Sequence, residues 1–318
     1  MRVVFIGTGE IGLPVLRWLV EAEKHQLVAL VTQPDKPVGR DQRITPTATK
    51  AIVAGLDIPV LQPQRIKHAE AVHAIQQLQP EVIVVMAYGQ ILPRAVLEIP
   101  TLACLNLHAS LLPKHRGAAP IQAAIASGDP ETGLTVMYMA EGLDTGDMLL
   151  QSRIKIAPDE TGGSLHDRLA ELAPAALSDA LQQLAAGTAP RLPQNDAEAT
   201  YAPKLEREHG AIDWREPVEV IECKIRAFHP WPGAYSVLRD AAGRDRKLKI
   251  LRARPAAAPS ARPAGELLVA DGRMAVAAPG GTLLLEEVQL EGKKRMPAAD
   301  LLRGNPWLAQ AAIVPPTP

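Results

Sequence analysis

The chain opens with MRVVFIGTGEIG (residues 1–12), in which a short apolar run is followed by Gly7, Gly9 and Gly12. The run predicts a buried β-strand at 2–6, and the glycines, spaced as G-x-G-x-x-G, predict a tight turn into a helix. Strand, turn and helix together form the first unit of an α/β fold. The same glycine spacing occurs in dinucleotide-binding turns, so the stretch raises the question of a nicotinamide cofactor.

The first 185 residues continue this alternation of short Val/Ile-rich runs and amphipathic stretches. Further strands are predicted at 26–32, 81–88, 104–109, 132–139 and 147–156. Helices are predicted at 11–23, 47–54, 67–78, 119–127 and 161–185. Short, nearly continuous apolar strands are typical of a sheet that is buried on both faces, so we expect a mostly parallel, Rossmann-like sheet.

The sequence changes character after this region. Residues 188–206 contain three prolines and no apolar period, which predicts a linker. Alternating segments separated by turn signals follow over 207–318 and predict a small β-barrel or sandwich. Within it, residues 254–265 (RPAAAPSARPAG) are predicted to be a low-complexity loop. The chain is thus predicted to have an α/β domain at 1–187 and a β domain at 207–318.

Composition limits the possible classes of protein. The 318 residues are 47% hydrophobic and carry a formal net charge of −1. Residues 207–318 contain 17 Lys and Arg against 13 Asp and Glu, whereas the first 206 residues contain 17 Lys and Arg against 22 Asp and Glu. The excess of positive charge in the C-terminal part permits a polyanionic partner without requiring one. Cys104 and Cys223 lack metal-ligand spacing, and no apolar run reaches 18 residues. We therefore expect a reduced, cytoplasmic protein with no metal and no membrane span.

A dinucleotide site also needs an acidic residue about 20 positions after the last glycine, at the end of the second strand. That position falls near Thr32, and the nearest acidic residue, Asp35, lies beyond a proline. The alternative, in which Gly7 and Gly9 only make a tight strand-to-helix turn, is favoured.

The densest polar cluster of the chain is CLNLHASLLPKHRGAAP (104–120). Asn106 and His108 are two residues apart on a predicted strand, so their side chains point to the same face. They lie near the carboxyl end of that strand, where open α/β sheets bind ligands. An amide N–H can stabilise a developing oxyanion and an imidazole can accept a proton near pH 7, so the pair indicates catalysis.

A second cluster, EGLDTGD (141–147), contains the D-T-G triplet of aspartic proteases. Those enzymes need two carboxylates that share a proton, and this α/β chain has only one such triplet, so a protease is disfavoured. The alternative that Asp144 or Asp147 simply caps a turn stays open on this evidence.

The stretches NLHASLLPKHRGAAPIQAAI (106–125) and GLDTGDM (142–148) resemble the formyltransferases that use 10-formyltetrahydrofolate. Further stretches resemble the same family in the same order: TQPDKPVGR (32–40), VVMAYGQILP (84–93), IDW (212–214) and IRAFHPWPGAY (225–235). The resemblance covers essentially the whole chain. It implies a Rossmann-like catalytic domain, an OB-like C-terminal domain that binds tRNA, no nicotinamide and no metal.

The resemblance also implies a reaction and its residues. The formyl group of 10-formyltetrahydrofolate would pass to the α-amine of methionine carried by initiator tRNA. Asn106 would bind the formyl oxygen, His108 would share oxyanion stabilisation and proton transfer, and Asp144 would hold His108 in a useful protonation state. The residues expected to bind the folate are Ser110, Leu111, Leu112, Pro113, Tyr88, Gly89, Gln90 and Ile91.

The acceptor is predicted from the polar loop at 33–50, which in the family reaches toward the tRNA. Its cations are Lys36, Arg40, Arg43 and Lys50, although Asp41 and Gln42 depart from the small or basic residues that are usual there. The residues expected to bind tRNA are Lys36, Arg40, Arg43, Lys293, Lys294 and Arg295. His115 also departs from the family, where an aromatic ring is common.

Three alternatives remain at this point. The enzyme could formylate an amino-sugar nucleotide with the same folate donor, because some sugar enzymes also carry a C-terminal extension. The loop at 33–50 could be an ordinary solvated surface, or the chain could be a silent tRNA- or folate-binding module. The expected partners are charged initiator tRNA and the folate, with no membrane, and the expected state is a monomer.

Overall fold

The computed structural model describes residues 1–39, 41–256 and 262–316. The chain divides into two compact units. The N-terminal unit contains residues 1–117, 131–154 and 166–202, and the C-terminal unit contains residues 118–130, 155–165 and 203–318.

The strands and helices are numbered in chain order. The strands are β1 (Arg2–Gly7), β2 (Gln26–Val31), β3 (Lys36–Val38), β4 (Arg43–Thr45), β5 (Val60–Leu61), β6 (Val82–Met86), β7 (Ala103–His108), β8 (Arg116–Gly117), β9 (Glu131–Tyr138), β10 (Met148–Lys155), β11 (Tyr201–Ala202), β12 (Tyr235–Arg239), β13 (Asp245–Ala256), β14 (Leu267–Ala270), β15 (Arg273–Ala278), β16 (Gly281–Leu290), β17 (Met296–Pro297) and β18 (Ala312–Val314). The α-helices are α1 (Leu13–Glu21), α2 (Ala48–Ile52), α3 (Ala69–Gln77), α4 (Arg94–Leu97), α5 (Pro120–Ala126), α6 (Gly162–Ala185), α7 (Val218–Ala227) and α8 (Ala298–Arg303).

The N-terminal sheet has the strand order β10-β9-β7-β6-β1-β2-β5. The five strands from β7 to β5 run parallel, and β9 pairs antiparallel with β7. All five residues of β6 are buried, as expected for a central strand covered on both faces. The predicted mostly parallel α/β sheet is confirmed, and its strands β1, β2, β6 and β7 all end at one edge, where ligands bind in such sheets.

The opening glycines lie where the ends of β1 and β6 approach each other. The backbone N–H groups of Thr8 and Gly9 donate to the Ala87 carbonyl at 3.2 and 3.0 Å. A Cβ atom on Gly7 would lie 2.7 Å from the Met86 carbonyl oxygen, and one on Gly9 would lie 2.8 Å from the Ala87 Cβ. Glycine is required here because two backbone segments pack closely, which is a sufficient reason for the motif.

The segment at 33–50 is not the plain loop that the sequence predicted. Strands β3 and β4 form a short antiparallel hairpin in which Lys36 pairs with Thr45 and Pro37 with Ile44. Strands of only three residues carry too little periodicity to be recognised in a sequence. Arg40, between the two strands, lies outside the described residues.

The C-terminal unit contains a curled antiparallel sheet of the order β14-β15-β16-β13-β12-β18, with β17 paired to β16. This confirms the predicted β domain. Strand β13 extends to Ala256, so the start of the predicted loop at 254–265 belongs to a strand, whereas residues 257–261 lie outside the described part of the chain. The core includes Trp214, whose indole N–H donates to the Ser236 hydroxyl at 2.8 Å.

Helix α7, in the same unit, was not predicted. Its buried apolar residues Val218, Ile221 and Ile225 recur at helical spacing, so the signal was present in the sequence. In the parts of the chain that the structure describes, no helix has both the length and the apolar character needed to cross a bilayer.

Candidate active site

Asn106 and His108 lie on β7 at the edge of the sheet where the parallel strands end. His108 is 6% exposed and Asn106 is partly buried. The alternation of the strand places both side chains on one face, as predicted from their spacing.

Asp144 lies in the loop between β9 and β10 and joins these two side chains. Its Oδ1 faces the Asn106 amide nitrogen at 3.5 Å, and its Oδ2 lies 3.6 Å from Nδ1 of His108. The Oδ2 atom also accepts a hydrogen bond from the backbone N–H of Gly117 at 2.8 Å. The structure therefore brings the three predicted catalytic residues together around one carboxylate.

The orientation of the His108 ring follows from a backbone contact. Its Nε2 lies 2.9 Å from the carbonyl oxygen of His115. A carbonyl can only accept, so Nε2 carries the proton and Nδ1 is the nitrogen that faces Asp144. The backbone of His115 has φ of +58°, and this left-handed conformation turns its carbonyl toward the ring.

Residues that the sequence did not single out complete the site. Arg116 is only 1% exposed, and it donates to the Gln194 side-chain oxygen through Nε and Nη2 at 3.0 and 2.8 Å. Gln194 comes from the segment that was predicted to be a linker, so no strand or helix pattern pointed to it. For Arg116, the only signal in the sequence was its position in the densest polar cluster of the chain, at 104–120.

The predicted folate segment Ser110–Pro113 is held by hydrogen bonds to neighbouring strands. The Thr135 hydroxyl accepts from the Leu112 N–H at 3.1 Å and donates to the Ser110 carbonyl at 2.7 Å. Gln151 donates to the Leu112 carbonyl at 2.8 Å. Ser110 and Leu112 are buried, whereas Leu111 and Pro113 are partly exposed. The side chains of Leu111 and Pro113 are therefore the ones that a ligand can contact.

The second predicted folate segment, Tyr88–Ile91, follows the end of β6. Tyr88 is 3% exposed, and its hydroxyl makes no hydrogen bond among the described residues. Burial raises the pKa of this phenol to about 12, so the hydroxyl stays protonated. Gln90 is engaged with the backbone of Ile66 and Gln64, while Ile91 is 83% exposed.

The hairpin presents two of the predicted tRNA-binding cations. In the strand register of the hairpin, Lys36 lies directly opposite Thr45. Arg43 is two residues before Thr45 on β4, so the side chains of Lys36 and Arg43 lie on the same face of the hairpin. Both cations are exposed.

Lys50, the last cation of the same segment, is held in the N-terminal unit. Its ammonium group donates to Asp35 at 2.7 Å and to Gln62 at 2.8 Å. Gln62 also donates to Asp35, at 2.6 Å, and the hydrogen bonds from Lys50 and Gln62 lower the pKa of Asp35. Lys50 is therefore a structural ion-pair partner.

The three predicted cations of the C-terminal unit differ in their surroundings. Lys293 and Lys294 are exposed. Arg295 is also exposed but forms a two-pronged ion pair with Glu287, at 2.6 and 3.1 Å. Among the residues that the structure describes, no group of three or more His, Cys, Asp or Glu side chains could hold a metal ion.

Comparison with known proteins agrees with the fold. Residues 1–181 match the formyl transferase family, and residues 204–306 match the formyl transferase C-terminal domain. The chain belongs to the formyl transferase family, which confirms the resemblance seen in the sequence.

Relatives of similar length carry a more specific name. The methionyl-tRNA formyltransferase of Geobacter sulfurreducens is 45% identical over 96% of this chain and 94% of its own length. That of Marinobacter nauticus is 47% identical over 96% of both chains. A crystal structure of an N-formyltransferase from Helicobacter canadensis, with folinic acid and dTDP-3-aminofucose, has a TM-score of 0.64 at 16% identity and covers 89% of this chain and 98% of its own. At that identity it shows the fold alone.

Proposed function

We propose that this enzyme transfers the formyl group of 10-formyltetrahydrofolate to the α-amino group of methionyl-initiator tRNA, giving N-formylmethionyl-tRNA for translation initiation. The observation that carries the proposal is the Asp144 carboxylate shared between Asn106 and His108. It occurs in a chain whose relatives of nearly the same length are methionyl-tRNA formyltransferases.

Asn106 supplies the oxyanion donor. Formyl transfer places negative charge on the formyl oxygen when the amine attacks, and a fixed amide N–H aimed at that oxygen stabilises it. The contact from the Asn106 amide to Asp144 is long, at 3.5 Å, so this N–H is only weakly engaged within the protein.

His108, supported by Asp144, carries out the proton transfers of the reaction. The attacking nitrogen must lose a proton and the leaving nitrogen must gain one. Because Nε2 of His108 is committed to the His115 carbonyl, Nδ1 is the atom through which the ring exchanges protons, directly or through water. Asp144 lies beside that atom and stabilises the imidazolium that forms, and catalytic contacts of this kind commonly tighten only when substrate binds.

The folate is proposed to lie between the segments 88–91 and 110–113. The buried hydroxyl of Tyr88, at the start of the first segment, is a donor without a partner among the described residues, and an unpaired buried donor costs about 1–3 kcal/mol. The H. canadensis relative of the same fold carries folinic acid in its crystal structure. Leu111 and Ile91 supply apolar surface for the rings.

The acceptor is proposed to be bound through phosphate contacts. Lys36 and Arg43 present an exposed cationic face on the hairpin, with Arg40 between them in sequence, and Lys293 and Lys294 are exposed on the C-terminal unit. Such contacts position a nucleic acid without reading its bases. Arg295 contributes less because Glu287 neutralises it.

The remaining parts of the proposal concern organisation. The catalytic domain spans 1–187, a connecting segment spans 188–206, and the tRNA-binding domain spans 207–318. The enzyme acts as a monomer in the cytoplasm, where initiator tRNA is charged, and needs neither nicotinamide nor metal for the transfer.

A parallel-acceptor assay tests the function. The purified enzyme is given 10-formyltetrahydrofolate with charged initiator tRNA, uncharged tRNA or an amino-sugar nucleotide, and formylated product is quantified. We expect product only with the charged initiator tRNA. Formylation of the sugar alone would support the sugar formyltransferase alternative, and activity unaffected by Asn106→Ala would contradict the assigned site.

A further inference from the structure

We propose that Gln194 is a positioning residue for Asp144, acting from the segment that follows helix α6. This inference rests on the proposed function, because it assigns a role in holding a group of that same site. A single carboxamide, that of Gln194, joins the buried guanidinium of Arg116 to the backbone of the loop that carries Asp144.

The Gln194 amide nitrogen binds the loop at two points. It donates to the carbonyl oxygen of Asp144 at 2.7 Å and to that of Gly146 at 2.8 Å. Both distances are short for N–H···O hydrogen bonds, and each uses a different hydrogen of the amide. The two contacts hold the main chain on both sides of Thr145, immediately after the catalytic carboxylate.

The loop needs such support because Asp144 has an unfavourable backbone conformation. Its φ is +52°, in the left-handed region that non-glycine residues rarely adopt. A side chain held in this region stays there only when its surroundings require it. With φ relaxed, the carboxylate would leave its position between Asn106 and His108.

Arg116 determines which way the Gln194 amide points. Its Nε and Nη2 both lie within 3.0 Å of the Gln194 side-chain oxygen. A guanidinium can only donate, so the oxygen must face Arg116 and the NH₂ group must face the two carbonyls. Arg116 is in turn ion-paired with Asp196, at 2.7 Å from Nη2, on the exposed side.

The stretch of chain that contains Gln194, residues 194–202, also holds the segment 115–117 beside the site. The peptide unit that follows Arg116 supplies the Gly117 N–H that donates to Asp144 Oδ2. The backbone N–H of Arg116 donates to the Thr200 carbonyl at 2.8 Å, and β11 pairs in parallel with β8. Residues 194–202 therefore bind both the loop that carries Asp144 and the segment 115–117, in which the His115 carbonyl orients His108.

The decisive variant is Gln194→Glu. A carboxylate keeps the acceptor toward Arg116, so the anchoring of the segment is retained, but it places oxygen against the two carbonyls and cannot donate to them. We expect kcat to fall by about 10²-fold, the loss typical of a displacement of roughly 1 Å at a catalytic group. The KM for the folate donor should stay near that of the wild type, and the pH profile of kcat should shift because Asp144 faces His108 differently.

Matched controls separate positioning from stability. Asp196→Asn removes the exposed ion-pair partner of Arg116 but leaves both carbonyl contacts of Gln194, so kcat should stay close to that of the wild type. Gln194→Met keeps the length of the side chain without adding charge, so it serves if the glutamate variant folds poorly. It should lower kcat in the same direction.

A double-mutant cycle with Asp144→Asn makes each outcome informative. If Gln194 acts through Asp144, Gln194→Met should change the residual rate of Asp144→Asn far less than it changes that of the wild type. Equal factors in both backgrounds, or full activity of both Gln194 variants, would overturn the positioning role. Full activity of Asp144→Asn would instead overturn the proposed mechanism, so the two failures are distinguishable.

Discussion

Nε2 of His108 donates a hydrogen bond to the backbone carbonyl of His115, and this contact leaves Nδ1 as the ring nitrogen that faces Asp144. The acceptor in this contact is a backbone carbonyl and not the imidazole of His115. The departure of His115 from the aromatic residue common in the family therefore does not remove the acceptor. The backbone of one left-handed residue, His115, thus selects the tautomer of His108, the proposed catalytic base.

The first prediction concerns the oxyanion donor. Asn106→Ala should lower kcat by about 10²–10³-fold, because one donor aimed at the developing charge is lost. The KM for the folate should change little, since the ground-state carbonyl depends less on this bond. Single-turnover formyl transfer measures the effect, with Gln77→Ala, an exposed amide at the end of helix α3, as the control. A rise in KM at unchanged kcat would assign Asn106 to binding instead.

A second prediction tests Tyr88 as part of the folate site. Tyr88→Phe removes a buried hydroxyl that has no partner among the described residues, so it should raise the free energy of unfolding by about 1 kcal/mol. If the hydroxyl donates to the folate, the same variant should raise the KM for the donor. Thermal unfolding with and without folate, together with kinetics, separates the two effects. Higher stability with unchanged KM would remove Tyr88 from the folate site.

The role of the opening glycines gives a third prediction. Gly9→Ala should lower the melting temperature, because the new Cβ would lie 2.8 Å from the Ala87 Cβ. Ala87→Gly removes that contact and also relieves an alanine at φ of +50°. The double variant should therefore recover most of the lost stability, as measured by thermal unfolding. A failure of Ala87→Gly to rescue Gly9→Ala would show that the glycine serves another purpose.

A fourth prediction concerns the cationic face of the hairpin. Replacing Lys36 and Arg43 by alanine should weaken binding of charged tRNA and reduce the slope of log K against log salt by about 1 for each lost phosphate contact. Arg295→Ala should have a smaller effect because Glu287 already pairs with this arginine. Titrations at several salt concentrations give the slopes. Unchanged slopes for the hairpin variant would identify 33–50 as an ordinary solvated surface.

The fifth prediction follows from the lowered pKa of Asp35. Hydrogen bonds from Lys50 and Gln62 favour the ionised carboxylate in the folded state, so the native pKa lies below the unfolded value. The resulting stability is present above the unfolded pKa and is lost as the pH falls through the native pKa. Wild type should therefore be more stable than Asp35→Asn near pH 7, with the difference shrinking below about pH 4, where unfolded carboxyl groups titrate. Urea unfolding across this range measures it, and a difference independent of pH would contradict the ion pair.

The sequence by itself determined the fold class and pointed to the candidate catalytic pair, Asn106 and His108. The apolar runs that became β1, β2, β6 and β7 are short and nearly continuous and alternate with amphipathic stretches, and this local pattern is enough to recognise such strands. Asn106 and His108 were identified by the same means, because a spacing of two on a strand already places two side chains on one face.

Tertiary structure alone decided how those groups are held. Gln194 is 50 residues from Asp144, and Gly117 is 27 residues from it, so no local pattern could pair them. The hairpin formed by β3 and β4, the pairing of Lys50 with Asp35, and the choice of Nδ1 on His108 likewise depend on contacts between distant or irregular segments. Periodicity reports which residues face a core, whereas the direction of a hydrogen bond depends on where the folded backbone brings its partner.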